Sequence, residues 1–286
     1  MAAGGDHSAL KVVASDAIDA STAGEVHVEI RAAVKRFGGT KDSGGVHALG
    51  PISFSIKRGE FFAVVGPSGC GKSTLLDLLA GLARPTEGSV VIEGVETKGA
   101  VPDGVGAVFQ EDASFYWLDV FDNIAFGLRR SRLGREEIRR RVDYAIDFMG
   151  LRDFAHAFPA QLSGGMRQRM CIARTLVMEP RFILLDEPFG ALDQQTRLLM
   201  GEELLRLWRE TGATILLITH SLDEAAMLAD RIGVMSARPG RFISIIETHW
   251  PRSRTSEIVS DPAFGRINAQ IWSLLRKESI ISMGRK

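Results

Sequence analysis

The sequence predicts an α/β protein with a largely parallel central sheet, and three observations favour this class. A short apolar segment, a glycine-rich turn and a helical segment follow one another in EFFAVVGPSGCGKSTLLDLLAGL. Two further apolar segments, in RFILLDEPFG and GATILLITHS, have the length of strands that are buried on both faces of a parallel sheet. Both end in polar residues, as strands do where an open α/β sheet carries its ligand site.

The composition is that of an ordinary globular protein. The 286 residues include 35 Lys and Arg and 35 Asp and Glu, so no net charge attracts nucleic acid, and we expect no nucleic-acid partner. No apolar run is long enough to span a membrane. Residues 1–25 are rich in Ala, Gly, Ser and Asp and lack the pattern of an export signal, which predicts a flexible tail.

The two cysteines, Cys70 and Cys171, are expected to be free thiols in a reducing cytosol. The alternative is a redox switch at Cys70, because a thiol near a helix N-terminus can have a lowered pKa.

The glycine-rich turn predicts a phosphate-binding loop between a strand at 61–65 and a helix at about 72–80. Gly66, Gly71, Lys72 and Ser73 match the spacing G-x-x-x-x-G-K-[ST], in the strand-to-helix context that this motif requires. Backbone N–H groups and the positive end of the helix would surround phosphate oxygens there. The alternative is a glycine-rich turn that binds nothing.

The candidate nucleotide-binding residues of this loop have distinct expected roles. Lys72 is expected to reach the β- and γ-phosphates, Ser73 to offer its hydroxyl to Mg²⁺, and Thr74 to add a phosphate contact. The full set is Gly66, Pro67, Ser68, Gly69, Cys70, Gly71, Lys72, Ser73 and Thr74.

Four polar residues follow strands that should end at the same edge of the sheet. Asp186 is placed to hold hydrated Mg²⁺, and Glu187 to orient and deprotonate the attacking water. His220 would bond the γ-phosphate or that water, and Gln110 would reach Mg²⁺ or the water. Taken singly, the two acids also fit a solvated strand end, and the histidine a satisfied polar residue.

A second anion-accepting helix start is predicted in QLSGGMRQRM. Ser163 is a helix-capping residue, and Gly164 and Gly165 leave N–H groups of the first turn accessible.

The motifs and their order resemble the ATP-binding-cassette (ABC) ATPase family. The phosphate loop, Gln110, LSGGMRQRM, ILLDE, ALD and His220 occur in the order that this family has, over roughly residues 27 to 245. The resemblance implies a P-loop NTPase core of the ABC type, with an inserted α-helical subdomain and an antiparallel β subdomain. It also implies ATP and Mg²⁺ as ligands.

The resemblance assigns further residues. Two chains would enclose two ATP molecules, with Ser163, Gly164, Gly165 and Gln168 facing the γ-phosphate bound by the partner. Asp193 of GALD belongs to the loop that crosses the dimer interface, and Phe37 takes the place of the aromatic residue that stacks on adenine. The alternative for Phe37 is a core position.

The region between Gln110 and Gln161 is predicted to be helical and to contact a permease. REEIRRRVDYAIDFMG places Ile138, Val142, Ala145 or Ile146, and Met149 on one face and Arg139, Arg140 and Arg141 on a solvated face. Four large residues, Phe115, Tyr116, Trp117 and Leu118, are consecutive and cannot all enter one core. In importers of the resembled family this stretch helps form the groove for a permease helix.

The domain prediction comprises a tail at 1–25, an ATPase domain at 26–245 with a helical subdomain at about 111–165, and an extension at 246–286 that contains a short helix. The helix spaces Phe264, Ile267, Ile271 and Leu274 on one side. The turn at Pro239 and Gly240, the P-R-x-R segment and this helix resemble the branch of the family that imports nitrate, sulfonates and taurine.

The resulting hypothesis is an ATP-hydrolysing subunit of a bacterial importer at the cytoplasmic face of the inner membrane. Its implied partners are a second copy of itself, integral permease subunits and, indirectly, a periplasmic or surface solute-binding protein. The alternatives are a soluble ABC ATPase of DNA repair or translation, and a P-loop module that senses ATP without hydrolysing it.

Overall fold

The computed structural model describes residues 25–38, 45–110 and 113–284, without the side chain of Met283. The predicted tail lies outside the described residues except for Glu25. The strands are β1 Val26–Phe37, β2 Val46–Lys57, β3 Phe61–Val65, β4 Glu87–Ile92, β5 Val95–Glu96, β6 Val105–Val108, β7 Phe182–Asp186, β8 Thr214–Ile218, β9 Arg231–Met235 and β10 Phe242–Glu247. The α-helices are α1 Lys72–Leu79, α2 Val120–Ala125, α3 Arg135–Phe148, α4 Gly164–Leu176, α5 Gln194–Thr211, α6 Leu222–Leu228 and α7 Pro262–Gly284.

Two sheets form the body of the protein, which confirms the predicted combination of a parallel core and an antiparallel subdomain. The antiparallel sheet has the order β2-β1-β4-β5. The second sheet has the order β10-β9-β3-β8-β7-β6, in which all neighbours are parallel except β10 and β9. Because β3, β6, β7 and β8 run in one direction, the residues after them meet at one edge.

The central strands β3, β7 and β8 are buried on both faces, as their uninterrupted apolar sequences predict. In β3, Phe61, Ala63 and Val65 face one hydrophobic core, and Phe62 and Val64 face another. The first core lies between the parallel sheet and helices α2 to α7. The second core lies between the two sheets and includes the apolar residues of α1. The close packing of these buried central strands fixes where their ends lie.

The helical subdomain contains α2, α3 and three short 3₁₀ segments, Leu128–Arg130, Arg152–Phe154 and Pro159–Gln161. Val142, Ala145, Ile146 and Met149 are buried and Ile138 is half-buried, as the periodicity predicts. Arg141 differs from its predicted solvated position, because it is mostly covered and pairs with Glu137 and Glu179 at 2.7 and 3.0 Å. The predicted end at 165 falls within the first turn of α4.

The C-terminal helix is longer than predicted. It spans the 23 residues Pro262–Gly284, and it buries Phe264, Ile267, Ile271 and Leu275 while Leu274 is partly covered. The predicted division at 245 falls inside β10. The short-helix prediction was wrong because the apolar spacing weakens after Leu275, although the helix continues.

Candidate nucleotide site

The glycine-rich turn forms a tight loop between β3 and α1. Gly69 and Gly71 have left-handed backbone angles, with φ of 70° and 111°, which strain residues that have a side chain. A Cβ atom on Gly71 would lie 2.7 Å from the carbonyl oxygen of Ala48 in β2. The Lys72 ammonium donates to the carbonyl oxygens of Gly66 and Pro67 at 2.9 and 3.1 Å, which holds it over the loop.

Asp186 connects β7 to the start of α1. It is the last residue of its strand, it is buried, and its carboxylate accepts a hydrogen bond from the Ser73 hydroxyl. Burial raises the pKa of Asp186, an effect that outweighs the lowering by this hydrogen bond. Two hard oxygen donors from different elements are therefore adjacent at the helix start.

Glu187 is the point at which three of the predicted residues meet. The Gln110 amide donates to Glu187 Oε2 at 3.0 Å, and His220 Nδ1 lies 3.1 Å from the same oxygen. These side chains come from the ends of β6, β7 and β8, as the parallel order predicts. A carboxylate that is partly exposed and aligned by two neighbours can accept a proton from water.

The backbone of Glu187 is also held in an uncommon conformation. Its φ is 48°, in the left-handed region where a residue with a side chain is strained. Its N–H donates to the Ile218 carbonyl at 2.8 Å, and its own carbonyl accepts from the Gln168 amide at 3.0 Å. Neighbouring elements on both sides therefore fix the direction of the carboxylate.

The side chain of Gln168, which the resemblance assigns to the nucleotide of the partner, forms hydrogen bonds within its own chain. Besides the bond to Glu187, its side-chain oxygen accepts from the N–H of Ala191 at 3.3 Å. Its amide is thus directed into its own chain, between α4 and the loop that follows β7. Five residues after the capping Ser163, the helix has turned this position toward the loop that follows β7.

The start of α4 has the predicted capped geometry. The Ser163 hydroxyl accepts from the Met166 N–H at 3.2 Å, and Gly164 is exposed. A Cβ atom on Gly165 would lie 2.7 Å from Leu192 Cδ2, so the GALD loop packs directly against this turn. Asp193 caps α5 by accepting from the N–H and hydroxyl of Thr196 at 3.0 and 2.6 Å, and the hydroxyl bond lowers the pKa of Asp193 most.

Phe37 is an exposed aromatic residue at the end of β1. Its side chain is 46% exposed, and the Lys35 ammonium lies 5.2 Å from the ring centroid. The alternative that Phe37 belongs to the core is therefore wrong. Its ring is accessible for stacking.

The redox alternative for Cys70 is also wrong. Both cysteines are free and buried, and burial raises the pKa of the Cys70 thiol despite the nearby Lys72. A buried, protonated thiol is a poor nucleophile. Cys70 serves as a small packing residue of the loop.

Sequence reasoning missed a buried polar connection between the GALD loop and the strand that carries His220. Glu224, in α6, accepts from the Thr219 hydroxyl at 2.5 Å and lies 3.3 Å from Arg197 Nε. Arg197 in turn donates to the Leu192 carbonyl at 3.1 Å. The available signal was a second acidic residue, four positions after His220, on a short helix whose remaining residues after Asp223 are apolar.

The aromatic segment Phe115–Trp117 lies on the surface of the helical subdomain. Tyr116 and Trp117 are exposed, the latter by 71%, while Phe115 packs on Phe126 with ring centroids 4.4 Å apart. Arg174 of α4 lies 4.7 Å over the Phe115 ring and donates to the Ala113 carbonyl at 2.8 Å. The aromatic segment is therefore tied to the same helix that begins at Ser163.

The comparisons with known proteins agree with this arrangement. Residues 49–190 match the family model described as ABC transporter. The chain is 46% identical over 225 residues to the taurine import ATP-binding protein TauB of Pseudomonas aeruginosa PAO1, covering 77% of this chain and 85% of that protein. It is 42% identical over 257 residues to the nitrate import ATP-binding protein NrtD of Synechocystis PCC 6803, and the match covers 88% of this chain and 96% of that protein.

A solved structure shares the fold. The dimeric post-hydrolysis state of the ATP-binding cassette MJ0796, bound to ADP and Pi, superposes with a TM-score of 0.70 at 31% identity and covers 78% of this chain and 100% of that one. Among the described residues, no helix is both long and apolar enough to cross a bilayer. The named relatives serve import, which favours transport over the soluble repair or translation alternative. The chain belongs to the ABC transporter family, as an ATP-binding subunit that hydrolyses ATP to power transport.

Proposed function

We propose that this chain energises the import of a small anion such as nitrate, an aliphatic sulfonate or taurine, by binding and hydrolysing ATP at the carboxyl edge of its parallel sheet. The observation that carries the ATPase role is the meeting of Gln110 and His220 on one oxygen of Glu187, beside the phosphate loop. The solute class is supported by the relatives that import taurine and nitrate.

The phosphate loop would hold the triphosphate, with Mg²⁺ beside it. Lys72 leaves the Gly66 and Pro67 carbonyls for the β- and γ-phosphates, and Phe37 stacks on adenine. Ser73 and Asp186 would hold Mg²⁺, and Gln110 offers its amide oxygen. Within the described ranges no group of three or more His, Cys, Asp or Glu residues suits a metal. Phosphate and water oxygens would complete the shell, because protein-bound Mg²⁺ usually keeps several waters.

Hydrolysis would use Glu187 as the base that orients and deprotonates water. His220 and Gln110 contact the same carboxylate oxygen, which supports a role in aligning it, and they would also contact the γ-phosphate or the water. The left-handed backbone at Glu187, bonded on both sides, favours one fixed carboxylate direction. These complete catalytic groups favour turnover over an ATP sensor that does not hydrolyse.

The start of α4 would serve the ATP of a partner subunit. Ser163 and the exposed Gly164 present a capped helix start, which attracts anions. Ala191 and Leu192 of the GALD loop lie against that turn, and Asp193, which follows them and caps α5, would contribute to the dimer interface. The dimeric ADP-bound structure that this chain resembles supports such an arrangement.

The aromatic segment Phe115–Trp117 would receive a helix of the permease. Tyr116 and Trp117 are exposed, and Arg174 connects the segment to α4. Through the permease, the chain is held at the cytoplasmic face of the inner membrane and depends on a solute-binding protein outside it.

The test is to purify the tagged chain from detergent-solubilised membranes of its host and to identify what accompanies it. We expect stoichiometric permease subunits, and vesicles of the complex should import taurine, a sulfonate or nitrate only with ATP and the matching binding protein. Trp117→Ala should remove the permease but leave ATP binding intact, whereas the exposed Leu199→Ala is the matched control. Recovery with ribosomes or DNA would contradict the transport role.

A further inference from the structure

The back of the phosphate loop is covered by a turn, here called the Pro239 turn, which comprises residues 236–241. Arg238 Nε donates to the Gly69 carbonyl at 3.2 Å. A Cβ atom on Gly240 would lie 2.1 Å from the Cys70 carbonyl oxygen, so the turn and the loop are in direct backbone contact. These contacts involve carbonyl groups, and they leave the N–H groups of the loop for phosphate oxygens.

The Pro239 turn is itself well fixed. Its Ser236 hydroxyl donates to the Pro239 carbonyl at 3.1 Å and accepts from the Arg241 N–H at 3.2 Å. Gly240 exchanges backbone hydrogen bonds with β2, donating to Ala48 at 3.1 Å and accepting from Gly50 at 2.8 Å. A displacement at one end of the turn would therefore move the surface that contacts the loop.

The C-terminal helix reaches this turn through one carboxylate. Glu278 of α7 accepts from the Ala237 N–H at 2.7 Å, immediately before Arg238. The preceding part of α7 is anchored in the core by Phe264, Ile267, Ile271 and Leu275. A continuous path of contacts thus leads from α7 through the Pro239 turn to the loop.

We propose that Glu278 is a positioning residue for ATP binding, because it fixes the Pro239 turn against the phosphate loop. The loop contains two left-handed glycines, Gly69 and Gly71, and such a backbone loses much conformational entropy when it closes around phosphates. A loop whose back is already fixed requires less ordering at binding, and its affinity for ATP is higher. The C-terminal extension therefore contributes to nucleotide affinity without touching nucleotide.

The test compares Glu278→Ala with Glu278→Gln in the full-length chain. Both variants lose the same charge, but glutamine keeps an oxygen that accepts from Ala237, so their difference isolates the hydrogen bond. We expect the alanine variant to bind ATP about three- to tenfold more weakly than the glutamine variant by calorimetric titration. Phosphate release at saturating ATP should differ by less than about twofold, because Glu187 and its partners are unchanged. Lys277→Ala, on the exposed side of the same turn of α7, is the control and should bind ATP like wild type.

A second experiment removes the contact between Arg238 of the Pro239 turn and Gly69 of the phosphate loop. In an Arg238→Met background, Glu278→Ala should weaken ATP binding by less than about twofold, since coupled residues are not additive. The inference rests on the phosphate loop as the ATP site, which wild-type binding tests in the same titration. Equal ATP affinities for Glu278→Ala and Glu278→Gln, or a loss of turnover without a loss of affinity, would overturn it. So would a lowered melting temperature with unchanged affinity.

Discussion

The two edges of the parallel sheet use similar polar residues for opposite purposes. At the carboxyl edge, Glu187 and His220 are bonded to each other but remain partly open, with His220 61% exposed. At the amino edge, His27 is 2% exposed and lies between the Thr214 hydroxyl at 2.5 Å and Glu93 at 3.3 Å. Open polar groups can serve a ligand, whereas closed ones join the two sheets, so burial separates function from structure here.

At the amino edge, the pKa values of both His27 and Glu93 lie below their ordinary values. Burial is the main cause that lowers the pKa of His27 to about 4, and the nearby Arg58 lowers it further. Burial acts to raise the pKa of Glu93, but hydrogen bonds from Arg181 and Arg58 hold it at about 2. The cluster is thus a neutral histidine beside an ionised, doubly paired carboxylate.

The largest expected effect is a loss of ATP hydrolysis on substituting Glu187 at the carboxyl edge. Glu187→Gln keeps the shape of the residue but removes the base, so phosphate release should fall by about 100- to 1,000-fold while ATP affinity stays within about threefold. The exposed Glu96→Gln is the control. Near-normal hydrolysis by Glu187→Gln would contradict the assignment of Glu187 as the base.

The next largest effect is on the free energy of unfolding, where we compare a buried arginine with an exposed one. The buried Arg254 bonds Asp230 at 2.8 Å and stacks on Trp208, so Arg254→Ala should lower the free energy of unfolding by about 3 kcal/mol. Arg252→Ala, which removes an exposed guanidinium over the same ring, should cost less than about 1 kcal/mol. Urea unfolding measures both, and equal costs would contradict the difference between open and closed groups.

A pH series sharpens the comparison further. The folded pKa of His27 lies below the ordinary 6.5, so the unfolded chain takes up a proton first as the pH falls from 6.5 to about 4. His27 should therefore cost about 2 kcal/mol of stability between pH 7 and pH 5, and nothing above that window. His27→Asn should lack this slope, whereas the exposed His249→Asn should retain it. An identical slope in all three chains would show that His27 is not buried as described.

The smallest effect concerns the capped start of α4. Ser163→Ala should cost about 1 kcal/mol of unfolding free energy, and Ser163→Asn, which still caps, should cost little. Turnover should fall in both variants if the serine hydroxyl also serves the partner's ATP. Full turnover in both variants would show that Ser163 only caps α4 and does not serve the partner's ATP.

Local patterns predicted the carboxyl edge well. The phosphate loop, the strand at 61–65 and the meeting of Gln110, Glu187 and His220 follow from motif spacing and from the parallel direction of the strands. Such information lies within a few residues of each site. The assigned roles in catalysis and metal binding remain predictions until the variants are measured.

Contacts between distant segments were not predictable in the same way. Gln168 turns into its own chain, Arg141 pairs with Glu179, and His27 meets Thr214 far along the sequence. Each depends on how helices and sheets pack, which the local sequence does not contain. The length of α7 was missed because its last turns lack the apolar spacing that marked its beginning.

The most direct test of the account is the mass of the Glu187→Gln chain by sedimentation equilibrium, with and without ATP and Mg²⁺. If the carboxyl edge of one chain and the α4 start of another enclose the nucleotide, the chain should be monomeric without ATP and dimeric with it. Lys72→Ala in the same background should abolish the dimer. A chain that binds ATP but stays monomeric would contradict the shared site.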